Sequence, residues 1–416
     1  MKHIAIIGSG ISGLAAAYLL QGKYRITLYE ANDYLGGHTA SVDVQVASGR
    51  YTVDTGFIVF NERTYPNFLR LLDRIGISKQ ATEMSFSVSN PRNGLEYNGH
   101  NLSTMFAQRR NLFKPSFYRF IGEILRFNRL AKQTALQGSL AADMNIGDFL
   151  SQHHFSEEFS ENYILPMIAA IWSSSVADAG DFPLLFFLNF FVNHGLFEVA
   201  NRPQWYVIPG GSRSYIPALT ARLDDIRLNT AVTSVSRNQG RVQITTERGT
   251  ETVDEVIFAC HSDQALQILG ANATHAEQQI LGNMHYRDND VILHTDSEVL
   301  PRAKRAWASW NYALNGNIDA PPSVTYNMNI LQGLSAPETF CVSLNSRQVI
   351  EPSRILGRYR YAHPVINAAM LQSQQRRGEI CGHHQTHFCG AYWYNGFHED
   401  GLRSALDVCQ RFGVAL

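Results

Sequence analysis

Three glycines near the start of the chain have the spacing of a phosphate-binding turn. Gly8, Gly10 and Gly13 follow the short apolar run 3–7 and precede a helical apolar pattern. In the order strand, turn, helix, the first glycine permits a tight turn and the second lets backbone approach a diphosphate, while the third lets the helix lie against the strand. The start of such a helix offers free N–H groups and a positive dipole end to an anion. The spacing therefore predicts a dinucleotide site.

A carboxylate follows these glycines at about the distance, roughly twenty residues, that this kind of site requires. Residues 25–30 have the composition of a second strand, which ends in Glu30. A carboxylate there accepts hydrogen bonds from a ribose hydroxyl and would repel a 2′-phosphate. A glycine turn can also occur by accident. That alternative is poor here, because a strand, a helix and an acid all stand at the required positions around the turn.

The composition predicts a large apolar interior and no attraction for nucleic acid. The chain has 416 residues, 35 Lys and Arg against 36 Asp and Glu, and a formal net charge of −1. Any electrostatic function must therefore be local. Hydrophobic residues make up 45% and charged residues 17%, which favours an aromatic-rich core or an apolar cavity. Five scattered cysteines without a CxxC pair predict neither a disulfide framework nor a zinc site, and we expect no metal.

The apolar runs of the chain do not resemble targeting or membrane segments. Glycines interrupt the N-terminal run and charge returns at Lys23 and Arg25, so a fold element is favoured over a signal peptide. The longest apolar stretch, 183–197, is shorter than the roughly 18 residues that cross a bilayer, and it contains Asn189. We expect a cytoplasmic protein without a transmembrane helix.

Two segments after the second strand resemble the FAD-dependent amine oxidase superfamily, which includes amine oxidases, protoporphyrinogen oxidase and phytoene-type desaturases. The segment 31–39, with Gly36 and Gly37, resembles that superfamily's second glycine turn, where backbone lies against the FAD diphosphate. The family usually has an arginine after these glycines, and His38 stands there in this chain. The segment 54–57 resembles a stretch that passes close to the flavin.

The middle and the end of the chain carry further parts of the resemblance. Residues 205–211 resemble the turn at which the chain returns to the FAD-binding domain, and Val232 falls where the family reads adenine with backbone. Residues 388–408 resemble the terminal flavin segment, although Tyr392 replaces a frequent glutamate. No cysteine lies where some relatives attach FAD covalently, so the resemblance implies noncovalent FAD. The glycine motif and the resemblance together assign its contacts to Gly8, Gly10, Ile11, Ser12, Gly13, Glu30, Ala31, Gly36, Gly37, His38, Thr39, Gly56, Phe57, Val232, Gly390, Phe397 and His398.

The resemblance implies an α/β fold with a Rossmann-like FAD-binding domain of the glutathione-reductase type. An inserted, discontinuous α+β domain would bind the substrate. We expect the FAD-binding domain to comprise 1–60, 205–275 and 355–416, and the substrate-binding domain to comprise 61–204 and 276–354. Residues 241–247 and 251–260 are predicted as alternating strands of an antiparallel excursion.

Hydride transfer to the flavin is the reaction that the resemblance implies. Amine oxidases of this superfamily commonly place a lysine near the flavin, and a rough alignment puts Asp290 at that position, with no lysine between Lys132 and Lys304. This favours a desaturase-like enzyme that acts on an apolar, fatty-acyl or lipid-like substrate. Candidates for a base or an orienting group are His285, His294, His363, His398 and Asp290, of which the last three are taken as catalytic.

A narrower resemblance points in the same direction. The runs GGHTASVDV, VDTGFIVFNERTYPNF, AWASWNY and FHEDGLRSAL are similar to a bacterial group of NAD/FAD-binding amine-oxidase-like proteins associated with cyclopropane-fatty-acid-synthase-like enzymes. An amine oxidase producing hydrogen peroxide and a non-catalytic flavin- and lipid-binding partner of a lipid-modifying enzyme stay open as alternatives. The electron acceptor (oxygen, a quinone or a nicotinamide) and the oligomeric state also stay open.

Two apolar segments of the expected substrate domain have a second interpretation each. Residues 115–133 place Phe117, Phe120, Ile121, Ile124 and Leu125 on one predicted helix face. The wider run 104–133 holds seven basic residues and a single acid, so peripheral contact with the inner face of the membrane is an alternative to a solvated surface. The six phenylalanines of 182–197 predict a buried helix or the wall of an apolar tunnel.

Overall fold

The helices and strands are given by a computed structural model that describes residues 1–137, 144–172, 175–198, 202–314 and 323–416. Within these ranges the strands are β1 His3–Ile7, β2 Arg25–Tyr29, β3 Ser41–Val46, β4 Gly49–Asp54, β5 Phe60–Asn61, β6 Gln80–Thr82, β7 Phe86–Asn90, β8 Leu95–Asn98, β9 Trp205–Val207, β10 Ile226–Arg227, β11 Val232–Asn238, β12 Arg241–Thr246, β13 Gly249–Val253, β14 Glu255–Phe258, β15 Tyr286–His294, β16 Trp310–Ala313, β17 Ser323–Asn327, β18 Cys341–Leu344, β19 Ile355–Pro364 and β20 Thr386–Phe388. The α-helices are α1 Ile11–Leu20, α2 Pro66–Ile75, α3 Leu102–Met105, α4 Pro115–Gln137, α5 Ile146–Gln152, α6 Glu157–Phe159, α7 Leu165–Trp172, α8 Val176–Gly180, α9 Leu184–Asn193, α10 Ile216–Thr220, α11 Ser262–Leu269, α12 His275–Gly282, α13 Met328–Leu331, α14 Ala368–Gln375 and α15 His398–Arg411.

A parallel sheet of five strands contains segments from both ends of the chain. Its order is β10-β2-β1-β14-β20, and every neighbouring pair is parallel. Ile4, Ala5 and Ile6 in β1 are fully buried, as expected for a parallel strand that is covered on both faces. This sheet, with α1 following β1 and α15 following β20, confirms the predicted Rossmann-like α/β fold.

The predicted antiparallel excursion exists, but its second strand is divided. Strands β11, β12 and β13 form a three-stranded antiparallel sheet. The run 251–260, predicted as one strand, breaks at Asp254, whose N–H donates to the carbonyl oxygen of His3 at 2.9 Å. Before that residue β13 pairs with β12, and after it β14 pairs with β1, so one predicted strand serves two sheets.

A mixed sheet of seven strands lies in the expected substrate domain, with the order β19-β15-β18-β17-β16-β7-β8. Its pairs are antiparallel except β16 with β7. Strand β19 pairs with β15 along its whole length, so residues 355–364 belong to this sheet although the expected boundary at 355 gave them to the FAD-binding domain. The division into two domains stays a prediction.

The aromatic run 182–197 contributes mainly to the core. In α9 the rings of Phe187 and Phe191 lie 4.1 Å apart, and Phe187 lies 6.2 Å from Phe127 of α4. The predicted apolar face of α4 is wrong at Leu125, which is half exposed, because the buried side is centred on Phe117, Phe120, Ile124 and Phe127. Among the described residues, no helix combines the length and the apolarity needed to cross a membrane.

Candidate active site

The first glycine turn joins β1 to α1 at the carboxyl edge of the parallel sheet. Gly8 has a φ of +103°, and a Cβ there would lie 2.9 Å from the carbonyl oxygen of Ala259. A Cβ on Gly13 would lie 1.9 Å from the carbonyl oxygen of Gly8, so no larger residue fits there. A Cβ on Gly10, in contrast, would meet no described heavy atom within 4 Å. This open side of the turn, at the start of α1, is where an anion can approach backbone N–H groups.

The second glycine loop lies directly against this turn. The Gly36 N–H donates to the carbonyl oxygen of Ser9 at 3.0 Å, and Gly10 and Gly36 form a parallel bridge. A Cβ on Gly37 would lie 3.2 Å from the Cα of Gly10. The loop therefore places His38, which follows Gly37, near the open side of the turn.

Glu30 is buried beside the first turn and accepts four hydrogen bonds. Its Oε2 accepts from the Ser9 N–H at 3.0 Å and the Ser9 hydroxyl at 2.5 Å, and its Oε1 accepts from the N–H and the Nδ2 of Asn32, both at 2.9 Å. A carboxylate has about four lone-pair sites, so a ribose hydroxyl has to replace one of these donors. The Thr230 N–H donates to the Glu30 carbonyl oxygen at 2.9 Å, which brings the start of β11 at Val232 to this end of the site.

The last strand and helix complete the same edge. The Gly390 N–H, just after β20, donates to the hydroxyl of Ser404 at 2.8 Å. The Ser12 hydroxyl of α1 donates to the carbonyl oxygen of Gly401 at 2.8 Å, and a Cβ on Gly401 would lie 2.8 Å from Ile11. The first turns of α1 and α15 therefore touch, and two helix N-termini meet at one site.

His398, the first residue of α15, is held by a ring stack and a hydrogen bond. Its ring is parallel to that of Phe57, with centroids 3.7 Å apart, and Phe68 meets it edge-on at 4.9 Å. Its Nε2 lies 3.0 Å from the hydroxyl of Tyr215, which lies 2.8 Å from that of Thr39. Burial lowers the pKa of His398 to about 3, so the imidazole is neutral at physiological pH.

The imidazoles of His261 and His363 lie around that of His38. The His38 ring centroid lies 5.8 Å from that of His261 and 5.7 Å from that of His363. The Tyr361 ring lies 5.3 Å from His38, and its hydroxyl is 2.9 Å from that of Thr55. Burial lowers the pKa of His38 and His261 to about 4 and that of His363 to about 3. The Nε2 of His38 is enclosed, and no described residue forms a hydrogen bond with it.

The register of β15 and β19 shows which side chains face this cluster. Residues directly opposite each other in an antiparallel pair share a face, and successive residues alternate. Asn289 is opposite Tyr361, so both lie on the face that His38 and His363 contact. Asp290 is opposite Arg360 on the other face, where its side chain is 74% exposed and ion-paired to Arg360 at 3.6 Å. The prediction of Asp290 as a catalytic residue is therefore wrong, because strand alternation turns it away.

The two remaining histidine candidates do not join the cluster either. His294 is fully buried in the larger sheet, with its Nε2 2.8 Å from the hydroxyl of Ser343. His285 is exposed just before β15. No group of three His, Cys, Asp or Glu side chains within the described ranges is arranged to hold a metal ion.

A family model with the description flavin containing amine oxidoreductase matches residues 11–323, about three quarters of the chain. The chain belongs to this family. Membership confirms the predicted superfamily, the flavin cofactor and the oxidoreductase class. A segment of 76 residues is also 40% identical to a 1-hydroxycarotenoid 3,4-desaturase of a Flavobacterium species, and it covers 18% of this chain and only 14% of that desaturase.

Solved structures share the whole fold of this amine oxidoreductase. One is a CLA-producing fatty acid isomerase from P. acnes, with a TM-score of 0.71, 15% identity, and coverage of 99% of this chain and 98% of that chain. Another is the cyclohexylamine oxidase of Brevibacterium oxydans, with a TM-score of 0.69, 14% identity, and coverage of 99% of both chains. At such identities the likeness shows the fold alone.

The residues at the carboxyl edge of the parallel sheet fit FAD, as the family requires. Space is open above Gly10, and the enclosed Nε2 of His38 has no described partner, so a ligand group would satisfy it. Gly10, Gly37 and His38 would hold the diphosphate, and Glu30 with the start of β11 at Val232 would hold the adenosine. The individual FAD contacts of the residues named from the sequence, like the noncovalent attachment, stay predictions.

Several site residues were not found from the sequence. His261 lies three residues after the end of β14, and ligands bind at the carboxyl ends of parallel strands, so the sequence carried a signal for His261. Tyr361 and Asn289 carried no such signal, because their face depends on the register of two distant strands. Tyr215, four residues after the return turn 205–211, was given no role, although its hydroxyl lies 3.0 Å from the Nε2 of His398.

Proposed function

We propose that this flavin-containing amine oxidoreductase takes hydride from an apolar, lipid-like substrate in a desaturase-like reaction. The observation that carries the proposal is the neutral, largely aromatic set of side chains that meet at the site. Burial keeps the imidazoles of His363 and His398 uncharged, and Phe57, Tyr361 and Asn289 lie beside them. Sites for apolar ligands are lined in this way, with a few polar groups for orientation.

The charged residues of the chain support the same substrate class. All six lysines of the chain lie in the described ranges. The least exposed of them is Lys132, and its ammonium group is already paired with Glu198 at 2.8 Å. The acids of β15, Asp288 and Asp290, lie on the face away from His38. An ammonium substrate would therefore meet no carboxylate on the site face of this strand.

The aromatic helix α9 supports an apolar approach to the site. Most of its phenylalanines pack in the core, but Phe190 stacks on Phe397 with centroids 5.0 Å apart. Phe397 immediately precedes His398, so the aromatic cluster extends to the start of α15. The local similarity to a carotenoid desaturase also favours dehydrogenation of a long apolar chain.

Desaturation breaks C–H bonds on two neighbouring carbons, with one hydrogen leaving as hydride and the other as a proton. FAD supplies the hydride acceptor when it is bound. His363, neutral and on the site face of β19, is placed to accept the proton. Although its pKa is lowered, the His363 imidazole is basic enough for this step, because the loss of hydride makes the C–H bond on the neighbouring carbon acidic. His398, fixed by Phe57 and Tyr215, orients the substrate and excludes water.

An anaerobic absorption titration tests the substrate class. The FAD-loaded protein is mixed with a fatty-acyl ester in detergent and, separately, with a polyamine. We expect the flavin bands to bleach with the ester and not with the polyamine. Tight binding of the ester without bleaching would contradict the proposal and indicate a flavin- and lipid-binding partner protein.

Three variants test the assigned side chains. His363→Gln should lower the rate of bleaching by about 100-fold or more, the usual contribution of a positioned base. His285→Gln alters an exposed histidine and Asp290→Asn alters the acid on the opposite face, and we expect both to react at the wild-type rate. Equal rates in all three variants would remove His363 from the mechanism.

Amine oxidation is the second candidate, and one observation favours it. The rings of Tyr359 and Tyr361 are parallel within 4° with centroids 6.3 Å apart. Aromatic faces attract cations, so this pair offers a place for an amine. Bleaching with the polyamine alone, followed by peroxide formation in air, would establish this candidate in place of the first.

A further inference from the structure

Large apolar side chains are exposed together on one part of the surface. Leu102 is 76% exposed, Phe113 88%, Tyr118 51% and Leu125 50%, and Leu112 is also exposed. These five residues are called the 102–125 face below. Such side chains are normally scattered singly, so a group of five marks an interaction surface.

The contacts of neighbouring residues show that this face is continuous. The Tyr118 hydroxyl donates to the carbonyl oxygen of Leu112 at 2.9 Å. Arg109, in the same short turn as Leu112, donates to the Ser103 hydroxyl at 3.3 Å, which brings the start of α3 beside it. The chain from Leu102 to Tyr118 is therefore folded on itself as one patch.

Helix α4 extends the patch along its outer side. Positions 118, 125 and 129 are separated by seven and four residues and lie on one side of a helix with 3.6 residues per turn. The residues on the opposite side are buried against the other helices of this region: Phe117, Phe120, Ile124 and Phe127. Helix α4 is thus an amphipathic helix whose outer side carries both apolar and basic residues.

Positive charge surrounds the 102–125 face. The exposed cations are Arg109, Arg110, Lys114, Arg119 and Arg129. In the part of the chain that the structure describes, none of them forms an ion pair with an acid. Glu123, the single acid of the run 104–133, is turned inward, where it accepts hydrogen bonds from the Ser156 N–H at 2.9 Å and from the Ser156 hydroxyl.

We propose that the 102–125 face docks the protein on the surface of an anionic lipid bilayer. Phenylalanine, leucine and tyrosine side chains would enter the boundary between headgroups and acyl chains, while the surrounding cations pair with anionic headgroups. A second copy of this chain is a poor occupant, because a symmetric contact would place the cations of one face against those of the other. The proposal concerns binding alone and is independent of the proposed reaction.

Vesicle flotation with the full chain tests this docking. One set of vesicles contains phosphatidylcholine and phosphatidylglycerol in equal parts, and the other contains phosphatidylcholine alone. We expect flotation with the anionic vesicles, release by high salt, and no flotation with the neutral ones. Absence of binding to anionic vesicles at low salt would overturn the proposal.

Matched variants locate the contact on the protein. Phe113→Glu should weaken vesicle binding by at least about tenfold, and the double change Lys114→Glu with Arg119→Glu should do the same, since each cation contributes about fivefold. The control is Val349→Glu, which puts the same charge at a valine that is 90% exposed and is not one of the five residues of this face. Equal binding of Phe113→Glu and the wild type would overturn the proposal, as would a concentration-dependent dimer that Phe113→Glu dissociates. Unchanged FAD binding and thermal unfolding would show that each variant is folded.

Discussion

At Gly10 and Gly13 the addition of one methyl group is expected to have opposite consequences. Gly13→Ala forces a Cβ against the carbonyl oxygen of Gly8 and should lower the free energy of unfolding by at least about 2 kcal/mol. Gly10→Ala places its methyl group in open space and should change this free energy by less than about 1 kcal/mol. The same methyl group occupies the room for the diphosphate, so FAD affinity should fall at least about tenfold.

Urea unfolding of both apoproteins, together with FAD titration of Gly10→Ala, measures these effects. Wild-type FAD affinity in Gly10→Ala would show that the cofactor does not approach this turn.

His38 is expected to link FAD binding to proton uptake. Burial lowers its pKa to about 4 in the protein without ligand, and a diphosphate beside its Nε2 would favour the protonated ring. Binding then takes up a proton, so FAD affinity should rise as the pH falls from about 7 toward 5. His261, His363, Tyr361 and His398 face the same region and carry no charge of their own at neutral pH.

Flavin fluorescence measures this dependence in the wild type and in His38→Gln. A charge-assisted hydrogen bond contributes about 1.5–3 kcal/mol, so the variant should bind FAD about 10- to 100-fold more weakly near pH 6, with a smaller difference near pH 8. A constant ratio at every pH would show that His38 stays neutral in the complex.

Among the elements, α15 and α2 are joined by one carboxylate. Glu399 accepts hydrogen bonds through Oε1 from the N–H and Nδ2 of Asn67, at 3.0 and 2.7 Å, and through Oε2 from the N–H of Phe68 at 2.9 Å. Glu399→Gln replaces one acceptor oxygen by a donor and leaves a buried N–H unpaired. The free energy of unfolding should fall by about 1–3 kcal/mol.

The matched control changes an exposed glutamate of the same chain. Glu379→Gln removes an ion pair with Arg376, in which the side chains are 40% and 48% exposed, and should change the free energy of unfolding by less than about 1 kcal/mol. Urea unfolding of the two apoproteins compares them. Equal stabilities would show that the joint between the helices does not depend on Glu399.

The sequence predicted elements well where the signal is local. The bounds of β1 agree with the prediction and the predicted second strand ends one residue late, because apolar runs and glycines mark both limits. The run 251–260 gave no sign of its division, since the partners of β13 and β14 lie outside it. Asp290 was placed near the flavin by a rough alignment, and nothing in the sequence indicated that its side chain lies on the opposite face, because polar residues occupy both faces at 288–290.

For the whole molecule, acid is expected to destabilise the protein without FAD. Burial lowers the pKa of six histidines to about 3 or 4, so the unfolded chain binds protons below about pH 6.5 that the folded chain does not: His38, His194, His261, His294, His363 and His398. Burial also raises the pKa of Asp54 to about 6 and that of Asp400 to about 7, which acts in the opposite direction. Because six histidines oppose these two acids, the net effect of lowering the pH is to destabilise the folded chain.

Urea unfolding of the apoprotein should give a free energy at least about 2 kcal/mol lower near pH 5.5 than near pH 7.5. An equal or higher value at the lower pH would mean that the two carboxyl groups outweigh the histidines.

The full set of side chains at the candidate site could not be predicted from the sequence. Its imidazoles come from four separate parts of the chain, at His38, His261, His363 and His398. The motifs at both ends predicted where FAD would bind, because they depend on backbone close to each glycine. The orientation of His363 toward His38 depends on a pairing between β15 and β19 that no local pattern encodes.

The contact between Ser12 and Gly401 spans 389 positions, and β20 completes a sheet that begins at His3. A ribosome adding about 5–20 residues per second takes roughly 20–80 s to make the chain between them. Strand β14 is made well before β20, and for roughly 6–26 s of that time it presents an unpaired strand edge, a template for wrong pairing. The parallel sheet can be completed at this edge only after β20 has been made, and the contact between the first turns of α1 and α15 can form only after residue 401 has been made.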